Sequence, residues 1–357
     1  MDTITLAFQH MKRQLFQPFR FWQWTRLALV GLLAGEAGSG GPGLNFTANF
    51  NSPRHSGSSN NFLDSGFANH GLPPSFPHID PTLLITLIVI LMLAFFVFAI
   101  VMMYVSSVMR FILFDSILAK DKECHIRAGW SRRQDSGWKY FWWQLGYAFV
   151  TTAGMVILLG IPAAIAFAMG WFTNPRQHIL PLVLGSILVF FLFMAFFVVA
   201  AVVHVLTKDF VVPQMALEGI GAVEGWRRLW PMISGEKGGY AVYIGMKIVL
   251  AIGAGIIIGL AGLILMLFLL IPIVGVAIAA VLGGKAAGLT WDVYTITAAI
   301  VAGSIVFAIF LYLTALISVP VIVFFPAYSI YFFAPRYRAL SLILYPPPPL
   351  MEAPAGP

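Results

Sequence analysis

The chain is poor in cysteine and in charged residues. Its 357 residues include one cysteine, Cys124, which excludes an intrachain disulfide and any metal or iron–sulfur site built from several thiolates. Only 10% of the residues are charged, whereas a soluble domain has roughly 25%. So little charge excludes an ordinary water-soluble domain.

Long apolar runs take the place of charge, and hydrophobic residues make up 60% of the chain. A helix rises about 1.5 Å per residue, so it needs about 20 apolar residues to cross a hydrocarbon core about 30 Å thick. The runs predicted to cross are 19–35, 83–109, 141–169, 179–206, 240–270 and 294–317. The sequence therefore predicts an all-α, polytopic membrane helix bundle with six transmembrane helices.

The first run, 19–35, is the shortest and contains Arg26. One alternative is the apolar core of a signal peptide, because basic residues precede it and small residues follow it. Trp22 and Trp24 beside arginines are more typical of a permanent interfacial anchor. We therefore favour a span whose Arg26 side chain extends to the lipid headgroups.

The basic residues are distributed unevenly between the two sides of the membrane. If the six runs alternate in direction, 18 of the 21 lysines and arginines fall on one side. The positive-inside rule then predicts that both termini and both large basic loops lie in the cytoplasm. The net charge of +7 suits an anionic inner leaflet. We expect membrane lipids and a protein as partners, and no nucleic acid.

A short motif of arginine and tryptophan, GAVEGWRRLW, occupies residues 221–230. Apolar residues between Ala216 and Trp230 recur every three or four positions, which predicts one amphipathic helix in the cytoplasmic membrane plane. Indole rings favour the headgroup level, and each arginine near an anionic leaflet adds about 1 kcal/mol of attraction. The segment HIRAGWSRRQ, 125–134, repeats the motif. The predicted contacts with lipid or a partner are Trp130, Arg132, Arg133, Trp226, Arg227, Arg228 and Trp230.

Similar segments recur along the chain. RFILFDSILA from residue 110 and KDFVVPQMAL from residue 208 each end a span with a basic residue, aromatic residues and an aspartate. We predict three repeats, each a cytoplasmic interfacial segment followed by a helical hairpin. The predicted regions are an interfacial segment with the first span over 1–35, an external Gly/Ser/Asn-rich loop over 36–80, the remaining five helices over 81–345 and a proline-rich tail over 346–357.

Ionisable side chains near the cytoplasmic ends of the spans are candidates for function, because burying charge in lipid is costly. Asp115, Asp209 and Lys247 could form an ion pair, although we expect Lys247 to extend to the interface instead. No charge is predicted at the middle of a span, which argues against a proton relay. Gly255 and Gly259 form a small-residue stripe that predicts close helix packing inside the bundle.

Catalytic signatures are missing from the sequence. There is no phosphate-binding loop with lysine and serine or threonine, no HExxH and no GxSxG. His55, His70 and His78 share the predicted external loop, but their spacing is irregular, so we predict no metal site. We expect no cofactor and no enzymatic activity.

Three segments carry a family resemblance: LFQPFRFWQWTRLALVGLLAG, DFVVPQMALEGIGAVEGWRRLWPMI and FFPAYSIYFFAPRYRAL. They resemble a group of prokaryotic multi-pass membrane proteins of unknown activity. That group is similar to the membrane domain attached to some glycerophosphoryl diester phosphodiesterases. The resemblance implies a location in the bacterial inner (cytoplasmic) membrane, and it implies no catalytic residues. We therefore expect a scaffold or accessory subunit, and the alternative is a transporter or lipid-handling permease for a neutral or lipid-like substrate.

Overall fold

A computed structural model describes residues 3–17, 19–36, 81–118, 126–172, 176–286 and 293–346. In these ranges the regular structure is helical throughout. The α-helices are α1 (Thr3–Phe16), α2 (Phe21–Leu33), α3 (Pro81–Leu118), α4 (Ile126–Ala168), α5 (Ile179–Leu206), α6 (Val212–Glu218), α7 (Ala222–Gly235), α8 (Lys237–Ala286), α9 (Val293–Phe333) and α10 (Arg338–Leu344). A π-helical turn, Thr207–Val211, joins α5 to α6, and a 3-10 turn, Ala334–Arg336, follows α9.

Among the described residues, five helices are long and apolar enough to cross a membrane: α3, α4, α5 with its extension to Glu218, α8 and α9. The first predicted span is not among them. Helix α2 has 13 residues, so it is only about 20 Å long, which is shorter than a hydrocarbon core. The prediction of a crossing over 19–35 is therefore not confirmed.

The packed core lies at one end of the long helices, which we call the basic end because it carries Arg110, Arg133, Lys208, Arg228 and Arg336. Buried apolar residues come from α1, α2, α10, the C-terminal halves of α3 and α9, the segment from Leu206 to Tyr243 and, on α4, Tyr140. In each of α3, α4, α5 and α8, the most apolar stretch of 18 residues contains no buried residue. In α9, 22% of that stretch is buried. Most of the apolar helix surface is therefore available to lipid.

The chain divides into two compact units. One comprises Met1–Gly43 with Tyr104–Pro357, and the other comprises Leu44–Met103. In the first unit, α4 packs against α5, where the Tyr147 hydroxyl donates to the Ala200 carbonyl at 2.6 Å, and α8 packs against α9. In the second, the described residues are the first turns of α3, and their side chains are almost all exposed.

Helix α1 is held at the basic end by polar contacts as well as by packing on α9. The Gln14 amide donates to the Ser116 carbonyl at 2.9 Å. His10 Nε2 donates to the Ile117 carbonyl at 3.1 Å, and its Nδ1 lies 3.1 Å from the Tyr331 hydroxyl. A carbonyl can only accept, so this arrangement needs a proton on Nε2 of His10.

Acidification is expected to destabilise the contact of His10 with α9. Burial lowers the pKa of His10, and Arg13 lowers it further, although the hydrogen bonds to Ile117 and Gln14 oppose the shift. Because the folded-state pKa is below the unfolded value of about 6.5, the stabilisation is complete above that pH and is lost as the pH falls below it. Thermal unfolding in mild detergent between pH 7.5 and 5 should show this loss. His10→Gln should flatten the pH dependence, and an unchanged profile would refute this role.

The segment that was predicted as one amphipathic helix from Ala216 to Trp230 is two helices. Gly219 ends α6 in the left-handed conformation, with φ of +69°, and its N–H bonds the Met215 carbonyl at 2.9 Å. Glycine adopts this conformation without a Cβ clash, which makes it the usual residue at such a helix end. The break changes the face that α7 turns towards the core.

Candidate functional site

The outer face of α7 is a narrow exposed stripe. Helix α7 buries Ala222, Gly225 and Leu229. A Cβ at Gly225 would lie 2.7 Å from Val211 Cγ1, so glycine permits this close approach. The opposite face carries Val223, Arg227 and Trp230, which follow the helical spacing of four and three residues.

The predicted contact residues of α7 divide between the two faces. Trp230 is 66% exposed, and the Arg227 side chain is 80% exposed. Trp226 instead packs against the core and donates its indole N–H to Thr207 Oγ1 at 3.0 Å. Arg228 is tied to Glu218 and Glu224. Of the predicted α7 contacts, Arg227 and Trp230 are therefore the most accessible to lipid or a partner.

The first copy of the motif, on α4, is arranged in a similar way. Trp130 packs edge-on against Tyr104, with ring centroids 6.0 Å apart. Arg132 is exposed. Arg133 forms two hydrogen bonds of 2.7 Å to the carboxylate of Asp115 and a third, of 2.6 Å, to the carbonyl of Ala216. Asp115 therefore forms its ion pair with Arg133.

A π-helical turn brings two charged residues into the core. Pro213 has no N–H, and its ring disfavours a regular helix around the carbonyl four residues earlier. The Val212 N–H bonds the Thr207 carbonyl, five residues back. Such wide turns often occur at functional sites. This one contains Lys208 and Asp209.

Asp209 forms the first half of a buried charge cluster. Its side chain is 3% exposed, and it pairs with Lys247 of α8, whose side chain is 10% exposed. The Tyr243 hydroxyl donates to the same carboxylate oxygen at 2.9 Å. Lys247 therefore pairs with Asp209, and the expectation that it extends to the interface is wrong. Lys247 lies one helical turn after Tyr243, where its ammonium group reaches Asp209. The carboxylate therefore balances its positive charge inside the protein.

Glu36 forms the second half of the cluster, although the sequence analysis predicts that it lies in an external loop. It is 1% exposed and pairs with Lys208. Arg110 lies beside it, with Nε 4.0 Å from a Glu36 carboxylate oxygen. Burial alone raises the pKa of a carboxyl group, but the attraction of Lys208 and Arg110 outweighs it and holds the pKa of Glu36 below its usual value. The two cations therefore favour the ionised form of Glu36.

Arg110 also links α3 to its neighbours. One of its Nη atoms donates to the Tyr140 hydroxyl of α4, and the other donates to the Ala34 carbonyl at 3.0 Å. The cluster of Glu36, Arg110, Lys208, Asp209 and Lys247 therefore joins the end of α2, α3, the π-helical turn and α8. A cavity of about 30 Å³ lies among Glu36, Arg110, Lys208, Asp209 and Ser329. We call these five charged residues the charge cluster.

The two glycines of the predicted packing stripe differ in their surroundings. Gly255 is buried, whereas Gly259 is exposed, and a Cβ at Gly259 would meet nothing within 4 Å. The predicted stripe therefore makes no close contact at Gly259. The rest of the predicted external loop, 37–80 with its three histidines, and the tail from 347 lie outside the described residues.

The contacts within the site are ion pairs between protein side chains. Within the described ranges, no three side chains of the histidine, cysteine, aspartate or glutamate type converge as metal ligands. The candidate pair from the sequence, Asp209 and Lys247, is part of a larger cluster. Glu36, Arg110, Lys208 and Tyr140 were missed. Arg110 and Lys208 begin the two repeated segments that end spans, so their equivalent positions were a signal for a shared role.

The comparisons with known proteins give a family without an activity. Residues 1–343 match the model of a family described as a family of unknown function, DUF7544. No curated protein and no solved structure matches the chain. The match provides no link to the membrane domain of glycerophosphoryl diester phosphodiesterases. That part of the resemblance stays an expectation.

Proposed function

We propose that this chain, which belongs to the DUF7544 family of unknown function, is a non-catalytic scaffold or accessory subunit of a bacterial inner membrane. The observation that carries the proposal is the distribution of packing. In four of the five long helices, the most apolar stretch of 18 residues contains no buried residue, whereas the basic end forms one packed core. A transporter needs a pathway enclosed by packed helices, whereas an anchor does not.

In this proposal the basic end lies in the cytoplasm and contacts the anionic inner leaflet. The positive-inside rule supports this orientation. Helices α1 and α10 both contribute to the core at the basic end, through Leu15 and Leu340 among others, which supports placing both termini on one side. The exposed stripe of Val223, Arg227 and Trp230 then faces the headgroups or a protein partner.

The internal repeat forms part of the same proposal. In both copies of the motif a glycine lies against the preceding segment: a Cβ at Gly129 would lie 3.1 Å from Ile112, and Gly225 faces Val211. In both copies the second arginine pairs with an acidic residue upstream, Arg133 with Asp115 and Arg228 with Glu218. We infer that these are two copies of one unit, each followed by a helical hairpin.

The exposed stripe of α7 is tested by native mass spectrometry of the protein in nanodiscs containing anionic phospholipid. Arg227→Ala is expected to weaken retention of anionic lipid about fivefold, because one arginine near an anionic leaflet contributes about 1 kcal/mol. Trp230→Ala is also expected to weaken retention, because it removes an indole ring from the headgroup level. Phe149→Ala is the matched control, since Phe149 is an exposed aromatic residue on the long helix α4. Equal retention by all three variants would contradict a leaflet role for the stripe.

The partner is tested by mass spectrometry of everything that accompanies the protein from its native membrane in mild detergent. A stoichiometric protein partner that is lost in Trp230→Ala supports the accessory subunit. One enriched small molecule or neutral lipid, with no protein partner, supports the permease instead. The charge cluster is the observation that favours this second candidate, since buried ionisable groups in membrane proteins commonly mark transport pathways.

A further inference from the structure

The charge cluster holds more positive than negative charge. Its three cations are Arg110, Lys208 and Lys247, and its two anions are Glu36 and Asp209. None of the five side chains is more than 11% exposed. Counted over these residues, one positive charge is left over. An uncompensated buried charge is strongly destabilising, so it calls for a counter-ion.

Arg110 also has an unsatisfied N–H. Its two Nη atoms donate to Tyr140 and to the Ala34 carbonyl, but among the residues that the structure describes its buried Nε has no hydrogen-bond acceptor. The nearest carboxylate, that of Glu36, is 4.0 Å from Nε and is shared with Lys208. A hydrogen bond from a guanidinium group needs an acceptor within about 3.2 Å.

The cavity beside Arg110 has room for a water molecule or a small ion. It measures about 30 Å³, and Arg110, Lys208 and Ser329 lie in its wall together with Glu36 and Asp209. One water molecule needs at least about 10–15 Å³ of such space. A halide ion is similar in size to a water molecule, so it fits in a space of this size.

We propose that this cavity binds one small monovalent anion, such as chloride, between Arg110 and Lys208. A water molecule would satisfy the Nε–H of Arg110 but would leave the surplus charge. Loss of a proton from a lysine would remove the charge but would leave the N–H without an acceptor. A single halide ion does both, because it is an acceptor and a negative charge, whereas a water molecule does both only together with a deprotonated lysine. This site is separate from the α7 surface and from the function proposed for it.

The experiment is equilibrium dialysis of the full-length purified protein in mild detergent against radioactive chloride, with sodium gluconate keeping the ionic strength constant. Saturable binding of one chloride per chain is expected, displaced by bromide and unaffected by gluconate. Absence of saturable binding overturns the proposal, and the cavity is then occupied by water alone.

Two variants locate the site by removing the surplus charge in different ways. Lys208→Met removes a cation, and Ser329→Asp adds a carboxylate in the cavity wall. Each is expected to weaken chloride binding at least about tenfold, which corresponds to about 1.4 kcal/mol. Lys139→Met, on a surface lysine whose side chain is 43% exposed, should bind chloride normally.

If Lys208→Met does not fold, Ser329→Asp decides the question, because it adds charge without breaking the Glu36 ion pair. Normal binding by the folded variants overturns the proposal. Neither substitution alters α7, so loss of chloride with normal lipid and partner binding separates this site from the proposed function.

Discussion

Replacing Asp209 by asparagine is expected to lower the free energy of unfolding by about 3–5 kcal/mol, since it leaves Lys247 buried with no counter-charge. The Lys247 side chain is 10% exposed, so water does little to solvate the ammonium group. Asparagine can still accept the hydrogen bond from Tyr243. The loss therefore reports the charge. Denaturant unfolding in mild detergent, followed by tryptophan fluorescence, measures it.

The matched control for this prediction is Asp135→Asn. Asp135 pairs with Lys139 at 3.2 Å on the surface of α4, where the two side chains are 78% and 43% exposed. Exposed pairs of this kind contribute about 0.3–0.5 kcal/mol. The double variant Asp209→Asn with Lys247→Met should recover part of the lost stability, because it removes both charges. Equal losses in Asp209→Asn and Asp135→Asn would show that the charge cluster contributes no more than a surface pair.

Replacing Gly137 by alanine is expected to destabilise the protein by about 1–3 kcal/mol, as overpacking of a core does. Gly137 lies on α4 where the helix crosses α3. An added Cβ would be 2.5 Å from Val108 Cγ2 and 3.1 Å from Val108 Cα, so the backbone itself has to move. Val108 is fully buried, so moving it disturbs the packed core. The midpoint of thermal unfolding in detergent measures the effect.

Gly146→Ala, on the same helix, is the control with the opposite sign. A Cβ at Gly146 would meet nothing within 4 Å. Alanine is favoured over glycine in a helix interior by about 0.5–1 kcal/mol, so this variant should be neutral or more stable. Adding Val108→Ala to Gly137→Ala should recover part of the loss. Similar effects of the two glycine substitutions would place the close contact between α3 and α4 in doubt.

The fold could be predicted from the sequence where a long run of one chemical type decides the structure. Five of the six predicted spans correspond to long apolar helices, because more than about 18 consecutive apolar residues leave few alternatives to a spanning helix. The run over 19–35 is shorter and interrupted by Arg26. It forms the 13-residue helix α2, which packs on α9 at the basic end.

The candidate site could be predicted only in part. The motif of arginine and tryptophan predicted a functional role for α7. The periodicity of apolar residues, however, placed Val223, Trp226 and Trp230 on one face with Ala216. That grouping assumed an unbroken helix, and the left-handed Gly219 breaks it. A hydrophobic pattern does not show whether a glycine continues a helix or ends it, because both are permitted at glycine.

The charge cluster was harder to predict because its members are far apart in the chain. Asp209 and Lys247 were candidates as a pair, but Glu36 and Arg110 reach the cavity from the end of α2 and from α3. Taken individually, each basic residue has the pattern of a charge at the end of a span, and such a charge commonly extends to the headgroups. Only their packing shows that they converge.

By itself the sequence determined that this is a helical protein built around long apolar segments, and it predicted that the positive charge is concentrated on one side. Composition and run length act locally, and the cost of exposing apolar surface to water leaves little choice. Tertiary structure alone decided which charges are buried together, which tryptophan faces outward and where the packed core lies. Those outcomes depend on distances between residues up to 321 positions apart, such as His10 and Tyr331, and no local pattern encodes them.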